Sequence, residues 1–508
     1  MKTDVIIVGA GPTGLMAANQ LARFGIDFIV IDLKSAPTAE SRAIAVTARS
    51  LEIYQQMGLS DTVLEQGTKI NSFNVYSEGE RKAEVKIGEI GVGLSDFHFL
   101  LAFEQSKNEE LLYQNLKSIH KNVLWNTEFL ELKEWTDNIE ILARYENKPT
   151  SISAKYLIAC DGAKSPIRHQ LNFKFEGGTY ENKFFVADVI MNWNLEYDKL
   201  IVSPSDKNFC AFFPLKGNKR YRVLGTLPKG YDTKEDVSFQ DIGKEILNAT
   251  RLNIDFEKVH WFSVYKLHHR CVNSFNKGNV YLAGDSAHIH SPAGGQGMNT
   301  GLQDAYNIAW KMAFVLKGHA HKRLLDTYNE ERLPFAQWLM KFTDRMFSIM
   351  SSDNWFIARF RKFFALRLVE IIMSKEAIKP IVFRTVSQIT YTYRGKSLSA
   401  PYRSKQKLKF RTGDRLPYVS ENYYTQFTEP VFHLIHITNQ NDKVLENNGM
   451  LPFPIKMIKN SINDWERFGV KSELFILVRP DNYIALISDT LNEGILEAYF
   501  NACFTNNT

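Results

Sequence analysis

The chain has 508 residues, of which 44% are hydrophobic, 23% charged and 13% aromatic, and its formal net charge at pH 7 is +6. The length allows two or three domains with a large core, and the composition is that of an ordinary globular protein. The small net charge does not indicate a nucleic-acid partner, and without about 18 uninterrupted apolar residues no membrane span is predicted.

The cysteines and the N-terminus both predict a cytoplasmic protein. Cys160, Cys210, Cys271 and Cys503 are far apart, with no CxxC pair and no His/Cys spacing typical of zinc. Free thiols in a reducing compartment are the simplest interpretation. The apolar N-terminus resembles a signal peptide, but Asp4 and the interrupting glycine and proline residues argue against one.

Residues 4–32 have the pattern of a βαβ unit, the start of a parallel sheet. DVIIVGAG enters a turn, GLMAANQLARFG has helical spacing, and DFIVID is a second buried strand. Gly9, Gly11 and Gly14 form a GxGxxG between strand and helix, and Asp32 ends the second strand. In this context the glycine pattern predicts a site for an ADP-containing dinucleotide.

The glycine loop suggests how such a ligand is held. The first glycine turns the chain, the second lets the backbone approach a pyrophosphate, and the third lets the helix pack on the strand. The helix N-terminus then offers free N–H groups and partial positive charge to the phosphates. Asp32 is placed to accept hydrogen bonds from ribose, and we count Pro12, Thr13 and Leu33 among the cofactor contacts. FAD and a nicotinamide dinucleotide both remain open at this point.

Residues 72–100 and 176–266 have a different pattern. They alternate, contain many aromatic residues, and include turn signals such as EGE, KGNKR and PKGYD. This pattern predicts mainly antiparallel strands. The run AFFPL within them supplies three candidates for a substrate pocket, which are Phe212, Phe213 and Pro214.

Two distant strands end in glycine–aspartate pairs. YLIACDGAKSPIR contains Asp161-Gly162, followed by Arg168 near a predicted helix start. VYLAGD ends in Gly284-Asp285 and continues as SAHIHSPAGGQGMNTG. A simple dehydrogenase would not have two such strand ends downstream of one GxGxxG.

The second of these stretches has competing interpretations. Asp285, His288 and His290 could bind a metal, but a further strong ligand is missing and the glycines would be unexplained. Ser286 could be a nucleophile, but GDSAH is not GxSxG. A loop shaped around a large flat ligand accounts for the glycines best, so we predict no metal.

Together these motifs resemble the FAD-dependent aromatic hydroxylases, the single-component (group A) flavoprotein monooxygenases. The branch resembled includes phenol, pentachlorophenol, antibiotic and polyketide hydroxylases. The resemblance implies an α/β fold with three parts: an FAD-binding Rossmann-like (GR2-type) domain, an inserted mainly antiparallel β-sheet substrate domain, and a C-terminal thioredoxin-like domain. It covers essentially the whole chain.

The reaction implied by the resemblance uses FAD, NADPH or NADH as co-substrate, and O2. NAD(P)H reduces FAD, O2 adds at C4a to give a hydroperoxyflavin, and its distal oxygen is transferred to an aromatic substrate, phenolic or polycyclic. A single dinucleotide fingerprint agrees with a nicotinamide that binds transiently. No substrate-activating base is identified, since RAIAV lacks the acid that often follows the arginine–alanine pair in phenol hydroxylases.

The resemblance also assigns roles to matching residues around the cofactor. Asp161-Gly162 and Arg168 would support the pyrophosphate region and the nicotinamide path, and Asp285 would hold the ribityl chain. Arg42 would contact flavin or nicotinamide, and Gln105 the pyrophosphate or ribityl group.

The loop PAGGQGMNTG would cradle the flavin. Pro292 would lie near the reactive C4a face, and Gly295 would let backbone lie flat beside the ring. Backbone N–H groups near Gly297, Met298 and Asn299 would face the N1/O2 edge, where negative charge develops on reduction.

The resemblance divides the chain as follows. Residues 1–71, 101–175 and 267–345 would form the FAD-binding domain, 72–100 and 176–266 the substrate-binding sheet, 346–393 a helical connector, 394–415 a linker, and 416–508 the thioredoxin-like domain.

Three alternatives stay open. The chain could be another flavoenzyme on this fold, a halogenase or a reductase, although the halogenase WxWxIP signature is absent. It could also be a non-catalytic FAD-binding protein. Residues 355–373 are amphipathic, basic and aromatic, so they could lie on a membrane surface, but helix packing or a homodimer contact is the preferred interpretation.

Overall fold

The computed structural model describes residues 1–39, 43–134, 138–204, 209–228, 230–231, 236–291, 295–351, 375–440 and 454–504. The strands are β1 (Val5–Val8), β2 (Phe28–Ile31), β3 (Ala45–Val46), β4 (Thr68–Ile70), β5 (Phe73–Ser77), β6 (Glu80–Val85), β7 (Leu100–Ala102), β8 (Val123–Leu124), β9 (Thr127–Glu134), β10 (Ile139–Tyr145), β11 (Lys148–Ala154), β12 (Tyr156–Ala159), β13 (Phe175–Trp193), β14 (Leu200–Pro204), β15 (Phe209–Pro214), β16 (Arg220–Thr226), β17 (Ile254–Val272), β18 (Asn276–Lys277), β19 (Val280–Leu282), β20 (His288–Ile289), β21 (Phe432–Ile437), β22 (Ile455–Asn460), β23 (Leu474–Val478) and β24 (Ile484–Ser488). The α-helices are α1 (Pro12–Arg23), α2 (Ala48–Gln56), α3 (Ser60–Gln66), α4 (Ile87–Ile90), α5 (Gln105–Ser118), α6 (Pro166–Gln170), α7 (Phe239–Thr250), α8 (Gln296–Leu316), α9 (Asp326–Ser351), α10 (Lys379–Val386), α11 (Ile462–Trp465) and α12 (Glu493–Phe504).

A six-stranded sheet in the order β18-β19-β12-β1-β2-β8 carries the glycine motifs. Strand β1 pairs in parallel with β2 on one side and with β12 on the other, and β12 pairs in parallel with β19. The predicted βαβ unit is therefore confirmed. All four residues of β1 are buried, as expected for a strand covered on both faces of a parallel sheet.

A second, eight-stranded sheet has the order β20-β17-β13-β16-β15-β14-β5-β6 and is mainly antiparallel. Its longest strands, β13 and β17, have 19 residues each and pair with each other along their length. Strand β17 runs on to Val272, beyond residue 266 where sequence analysis ended the sheet domain. The two long strands thus continue from this sheet toward the parallel sheet.

The two faces of the eight-stranded sheet belong to different cores. One face packs beneath α7 and includes Phe185, Phe212 and Val223. The other carries half-buried side chains such as Phe213 and Leu224, which pack against the core that contains the parallel sheet. The strands alternate between the faces because successive side chains point in opposite directions.

The C-terminal part contains a four-stranded sheet in the order β22-β21-β23-β24. Strands β21 and β22 are parallel, and the other two pairs are antiparallel. The preceding segment 394–415, expected to be a linker, packs closely: Leu398 and Phe410 are buried. Its basic residues are not simply solvated, since Arg415 forms an ion pair with buried Glu52.

A network of buried charges joins this C-terminal part to the rest of the protein. The Arg479 guanidinium donates to both carboxylate oxygens of Glu331 on α9 and to Asp481. The Lys311 ammonium on α8 lies 2.7 Å from Glu331 Oε2. All four side chains are almost completely buried. Burial raises the Glu331 pKa, but Arg479 and Lys311 outweigh it and bring that pKa down to about 2.

Two expectations from the sequence concern a membrane. None of the described helices combines the length and apolar character needed to cross a bilayer. Residues 355–373, which sequence analysis singled out as amphipathic, lie outside the described residues.

We predict that Arg479→Met destabilises the protein strongly. The substitution leaves Glu331 and Asp481 buried without their main cation, which costs about 3–5 kcal/mol. Urea unfolding of the apoprotein measures the loss. The matched control, Lys121→Met, breaks an exposed pair with Asp27 and should cost less than about 1 kcal/mol. Equal losses in both variants would contradict the prediction.

Candidate active site

Two glycines of the N-terminal loop are required by the protein's own packing. Gly9 has φ +102°, and a Cβ there would stand 2.2 Å from the Cys160 carbonyl oxygen. A Cβ on Gly14 would stand 1.8 Å from the Gly9 carbonyl oxygen. Larger side chains at either position would push the loop away from β12 or α1 away from the loop.

Gly11 differs because the space before it is open. Apart from its chain neighbours, no atom of the described residues lies within 4 Å of the position that its Cβ would occupy, and its φ of −77° suits any residue. Gly11 is the N-cap of α1, with Pro12 following, and no side chain caps this helix. The amides of the first helical turn, including Thr13 and Gly14, have no intrahelical acceptor, so this helix end suits an anionic group.

Asp32 shapes the glycine loop from the end of β2. Its Oδ2 accepts a hydrogen bond from Ala10 N at 2.5 Å, and its Oδ1 accepts one from Lys34 N at 2.7 Å. The carboxylate is partly exposed and keeps lone pairs for further donors. Leu33 beside it is 68% exposed.

Gln105 lies at the start of α5, close to the same edge of the sheet. Its Nε2 donates to Glu109 Oε1 at 2.9 Å, and Glu109 Oε2 accepts from Lys34 Nζ and from Thr38 N. This buried carboxylate ties the chain after Asp32 to α5.

Asp161 follows β12 and has one oxygen without a partner. Its Oδ2 accepts from Ser165 Oγ at 2.8 Å, whereas Oδ1 is buried with no hydrogen bond among the described residues. Burial raises the pKa of Asp161 to about 6. Gly162 has φ +79°, and none of the described residues places an atom within 4 Å of its Cβ position. Arg168 donates to the carbonyl oxygens of Ser286 and Ala163 and stacks on the Phe175 ring.

Gly284 and Asp285 follow β19, next to β12 in the sheet. Gly284 has φ +64°, and a Cβ on it would stand 2.5 Å from Thr13 Oγ1, while one on Gly301 would stand 2.3 Å from the same atom. Thr13 is therefore enclosed between the GD turn and α8. The Asp285 side chain is exposed and accepts no hydrogen bond from any described residue. Although the side chain touches solvent, the surrounding protein replaces part of the hydration shell of its carboxylate. This desolvation raises the pKa of Asp285 above the ordinary value.

A buried network beneath the GD turn holds Gly284 in place. Asp304 on α8 accepts from Gly284 N at 3.1 Å and from Arg332 Nε on α9 at 2.7 Å. His288 Nε2 lies 2.7 Å from the same carboxylate. Asp304 and Arg332 were not among the residues predicted from the sequence; an acid on the buried face of a predicted helix was the only available signal.

Gly295 and Asn299 fix the N-terminus of α8. Gly295 is the helix N-cap with φ +64°, and a Cβ there would stand 2.5 Å from Ala45 Cβ. Asn299 Nδ2 donates to the carbonyls of Ala45 and Gly295, and its Oδ1 accepts from Thr47 N and Ser50 Oγ. Its side chain is thus committed to tying α8 to α2. Any cofactor contact at Asn299 would come from its backbone.

Of the other residues predicted to contact the flavin, the structure describes only some. Gly297 lies in the first turn of α8, 3.4 Å at its Cβ position from His290 Cε1, and Met298 is half-buried behind it. Arg42 and Pro292 lie outside the described residues. Among the described residues, no group of three His, Cys, Asp or Glu side chains is arranged to hold a metal ion.

The face of the eight-stranded sheet that meets the cofactor-binding part is apolar and half-buried. It carries Phe213 together with Val202, Phe209 and Leu224. Phe212 and Pro214 have the opposite parity on β15, and Phe212 is fully buried against Trp193 in the other core.

An ion pair borders this apolar face. Arg222 donates to both carboxylate oxygens of Asp188 at 2.6 and 2.8 Å, and its third nitrogen donates to the Ala43 carbonyl. It therefore links the sheet to the segment that follows Arg42.

The structure brings most of the predicted cofactor residues to one edge. Gly11, Asp161 and Asp285 follow β1, β12 and β19, which are neighbouring parallel strands. The carboxyl ends of such strands are where open α/β sheets bind ligands. The open space at Gly11 and the two available carboxylates fit a dinucleotide such as FAD.

The comparisons with known proteins agree with this geometry. The sequence matches the family described as FAD binding domain over residues 2–343. The 6-methylpretetramide 4-monooxygenase of Streptomyces rimosus is 30% identical over 353 residues, which cover 69% of this chain and 63% of that protein. The matched part of the chain thus covers less than two thirds of the length of that relative.

Two further similarities extend over the full length. A protein named flavin-dependent monooxygenase from Mycobacteroides abscessus is 29% identical over 501 residues, 96% of this chain and 97% of its own. The solved OxyS anhydrotetracycline hydroxylase from Streptomyces rimosus has 25% identity and a TM-score of 0.76, with 99% of each chain covered.

We predict that Gly11→Ala weakens FAD binding without unfolding the protein. The new methyl group meets no atom in the part of the chain that the structure describes, but it occupies the space where the backbone would approach the pyrophosphate. FAD affinity should fall at least tenfold, about 1.4 kcal/mol, in a fluorescence-quenching titration. Gly243→Ala on α7 is the control, because its Cβ also meets nothing closer than 3.8 Å. Normal FAD binding by Gly11→Ala would count against the site.

We predict that two aspartate substitutions differ strongly in their effect on stability. Asp285→Ala removes a carboxylate without a hydrogen bond, so apoprotein stability should change by less than about 0.5 kcal/mol while FAD affinity falls at least tenfold. Asp304→Ala leaves Arg332 and Gly284 N buried without their acceptor and should cost about 3–5 kcal/mol. Urea unfolding and FAD titration distinguish the two; full FAD affinity in Asp285→Ala would contradict its cofactor role.

Proposed function

The chain belongs to the FAD binding domain family, and we propose that it is an NAD(P)H-dependent monooxygenase that hydroxylates an aromatic substrate, phenolic or polycyclic. One observation carries the proposal. The open glycine loop, the unpaired Asp161 oxygen and the exposed Asp285 carboxylate follow three neighbouring parallel strands. These are the groups that an extended dinucleotide needs along its phosphates and its polyol chain.

Bound FAD would supply hydride acceptance from NADPH or NADH and the activation of O2. The residues of this chain would position it. The first turn of α1 would bind phosphate oxygens, and Asp285 would accept hydrogen bonds from ribityl hydroxyls. The first turn of α8, after Gly295, would stabilise negative charge on the ring with its backbone N–H groups.

The substrate would lie between the cofactor and the apolar face of the eight-stranded sheet. Phe213, Val202, Phe209 and Leu224 present half-buried apolar groups there, which suits a flat aromatic ring and excludes water from it. We carry only Phe213 forward from the predicted pocket residues, because Phe212 and Pro214 point to the other face. The relatives named for 6-methylpretetramide and anhydrotetracycline support a polycyclic phenol.

We further propose that the C-terminal part is a thioredoxin-like domain with a structural role. Its sheet combines a parallel pair with antiparallel pairs, and α12 follows the last strand. It has no CxxC pair, so disulfide exchange is not part of its function. The buried Arg479 network instead fastens it to α9.

We expect aerobic NADPH or NADH oxidation by the FAD-loaded protein to rise at least tenfold with a matching phenol or polycyclic phenol and to yield little H2O2. A substrate in the pocket excludes water, so reducing equivalents go to hydroxylation rather than to H2O2. The panel contains phenol, chlorophenols, anhydrotetracycline and a non-aromatic control, cyclohexanol. Oxidation that stays equal with every compound and yields stoichiometric H2O2 would contradict the proposal.

A further inference from the structure

A short segment after α10 contacts the first turns of α8. It consists of Val386, Ser387 and Gln388 and is called the 386–388 segment. Ser387 and Gln388 are buried. The backbone of Gln388 has φ +57°, in the left-handed region that glycine adopts without cost and that a side chain makes unfavourable. The segment therefore carries backbone strain at a buried position.

This strain is unusual within the protein. Among the described residues other than glycine, only Gln388 and Asn482 combine a left-handed φ with a buried side chain. Asparagine enters the left-handed region more readily than most other residues do. A strained residue persists only where the surrounding structure holds it, and such residues are frequent at functional sites. The contacts of the Gln388 side chain among the described residues are all with one element, α8.

The Gln388 amide bonds to three positions on α8. Its Nε2 donates to the Gln296 carbonyl at 3.3 Å and to Thr300 Oγ1 at 3.1 Å. Its Oε1 accepts from Gln303 Nε2 at 2.5 Å. In return, Gln296 Nε2 donates to the Val386 carbonyl at 2.9 Å. Because α8 begins at Gln296, these bonds fix its first two turns.

The 386–388 segment also holds the start of α2. The Arg49 backbone N–H donates to the Ser387 carbonyl at 3.2 Å. Helix α2 is tied in turn to α8 by Asn299, whose Oδ1 accepts from Ser50 Oγ at 2.7 Å. Each of the three elements is thus bonded to both of the others. The first turn of α8 is held from two sides, by α2 and by the 386–388 segment.

We infer that Gln388 is a positioning residue for the flavin. The inference rests on the proposed function, in which backbone N–H groups in the first turn of α8 stabilise negative charge on the reduced ring. Such stabilisation is strong when the donors are held in place before the charge develops. The Gln388 amide is committed to α8, so it acts on the flavin through the helix. Its hydrogen bonds also offset the strain of its own backbone.

Two substitutions separate the Gln388 hydrogen bonds from its strain and its volume. Gln388→Gly removes the amide and relieves the left-handed backbone, whereas Gln388→Met keeps the volume and the strain but cannot form the hydrogen bonds. In the FAD-loaded full-length protein, we expect both variants to lower the affinity for reduced FAD, relative to oxidised FAD, about tenfold. For a two-electron couple this lowers the reduction potential of bound FAD by about 30 mV. An anaerobic reductive titration against a reference dye measures it.

Arg251→Gly is the matched control. Arg251 is also left-handed, with φ +53°, but it is the exposed C-cap residue of α7. This variant removes a side chain from a left-handed position without touching α8, so the potential of bound FAD should stay at the wild-type value. Urea unfolding of the apoproteins records any loss of stability separately from the potential.

The outcomes distinguish the positioning role from the proposed function. A wild-type potential in both Gln388 variants, whatever their stability, would overturn the positioning role and leave the proposed function intact. A lowered potential in only one of them would also overturn it, because the loss of the hydrogen bonds is what the two variants share. A wild-type protein that binds no FAD would overturn the proposed function and the inference together.

Discussion

One buried carboxylate, that of Asp304, connects the elements around the cofactor edge. It accepts hydrogen bonds from the turn after β19 and from Arg332 on α9, and it contacts His288. Burial by itself raises an aspartate pKa, but Arg332 and His288 outweigh it and the pKa of Asp304 is lowered. A buried charge is tolerated when every lone pair is used, and here the donors come from three separate elements. The position of the GD turn follows from this arrangement.

Helix α9 extends the same constraint to the C-terminal part. Adjacent residues of this helix serve two networks: Arg332 holds Asp304, and Glu331 holds Arg479 and Lys311. Tyr393, in the segment before the C-terminal sheet, hydrogen-bonds with Arg332 as well. The C-terminal sheet is therefore fixed to the helix that also fixes the GD turn. The two parts are therefore joined through two adjacent, almost fully buried networks on one helix.

The motifs that could be predicted from the sequence are those defined by residues that are neighbours in the chain. An all-apolar strand, a glycine loop and a strand-final aspartate are local patterns, and the structure places the predicted βαβ unit and the three strand ends as expected. The site of Asp304 depends on partners elsewhere in the chain, since Gly284 and Arg332 are 20 and 28 positions away from it. Alternation along β15 shows that Phe212 and Phe213 face opposite ways, but not which face meets the cofactor part. Segment 394–415 was predicted as a linker, and its local composition does not show that Leu398 and Phe410 are buried or that Arg415 pairs with Glu52.

The order of strands in the parallel sheet has a consequence for biosynthesis. Strand β1 is made first, yet its neighbour β12 begins only at Tyr156, and β19 and Asp304 follow far later. At about 5–20 residues per second, β12 follows β1 after roughly 8–30 s and Asp304 follows after roughly 15–60 s. Until β12 is made, one edge of the apolar strand VIIV has no partner, and exposed strand edges of this kind associate with other chains. FAD therefore has a complete binding edge only after β19 and Asp304 have been made.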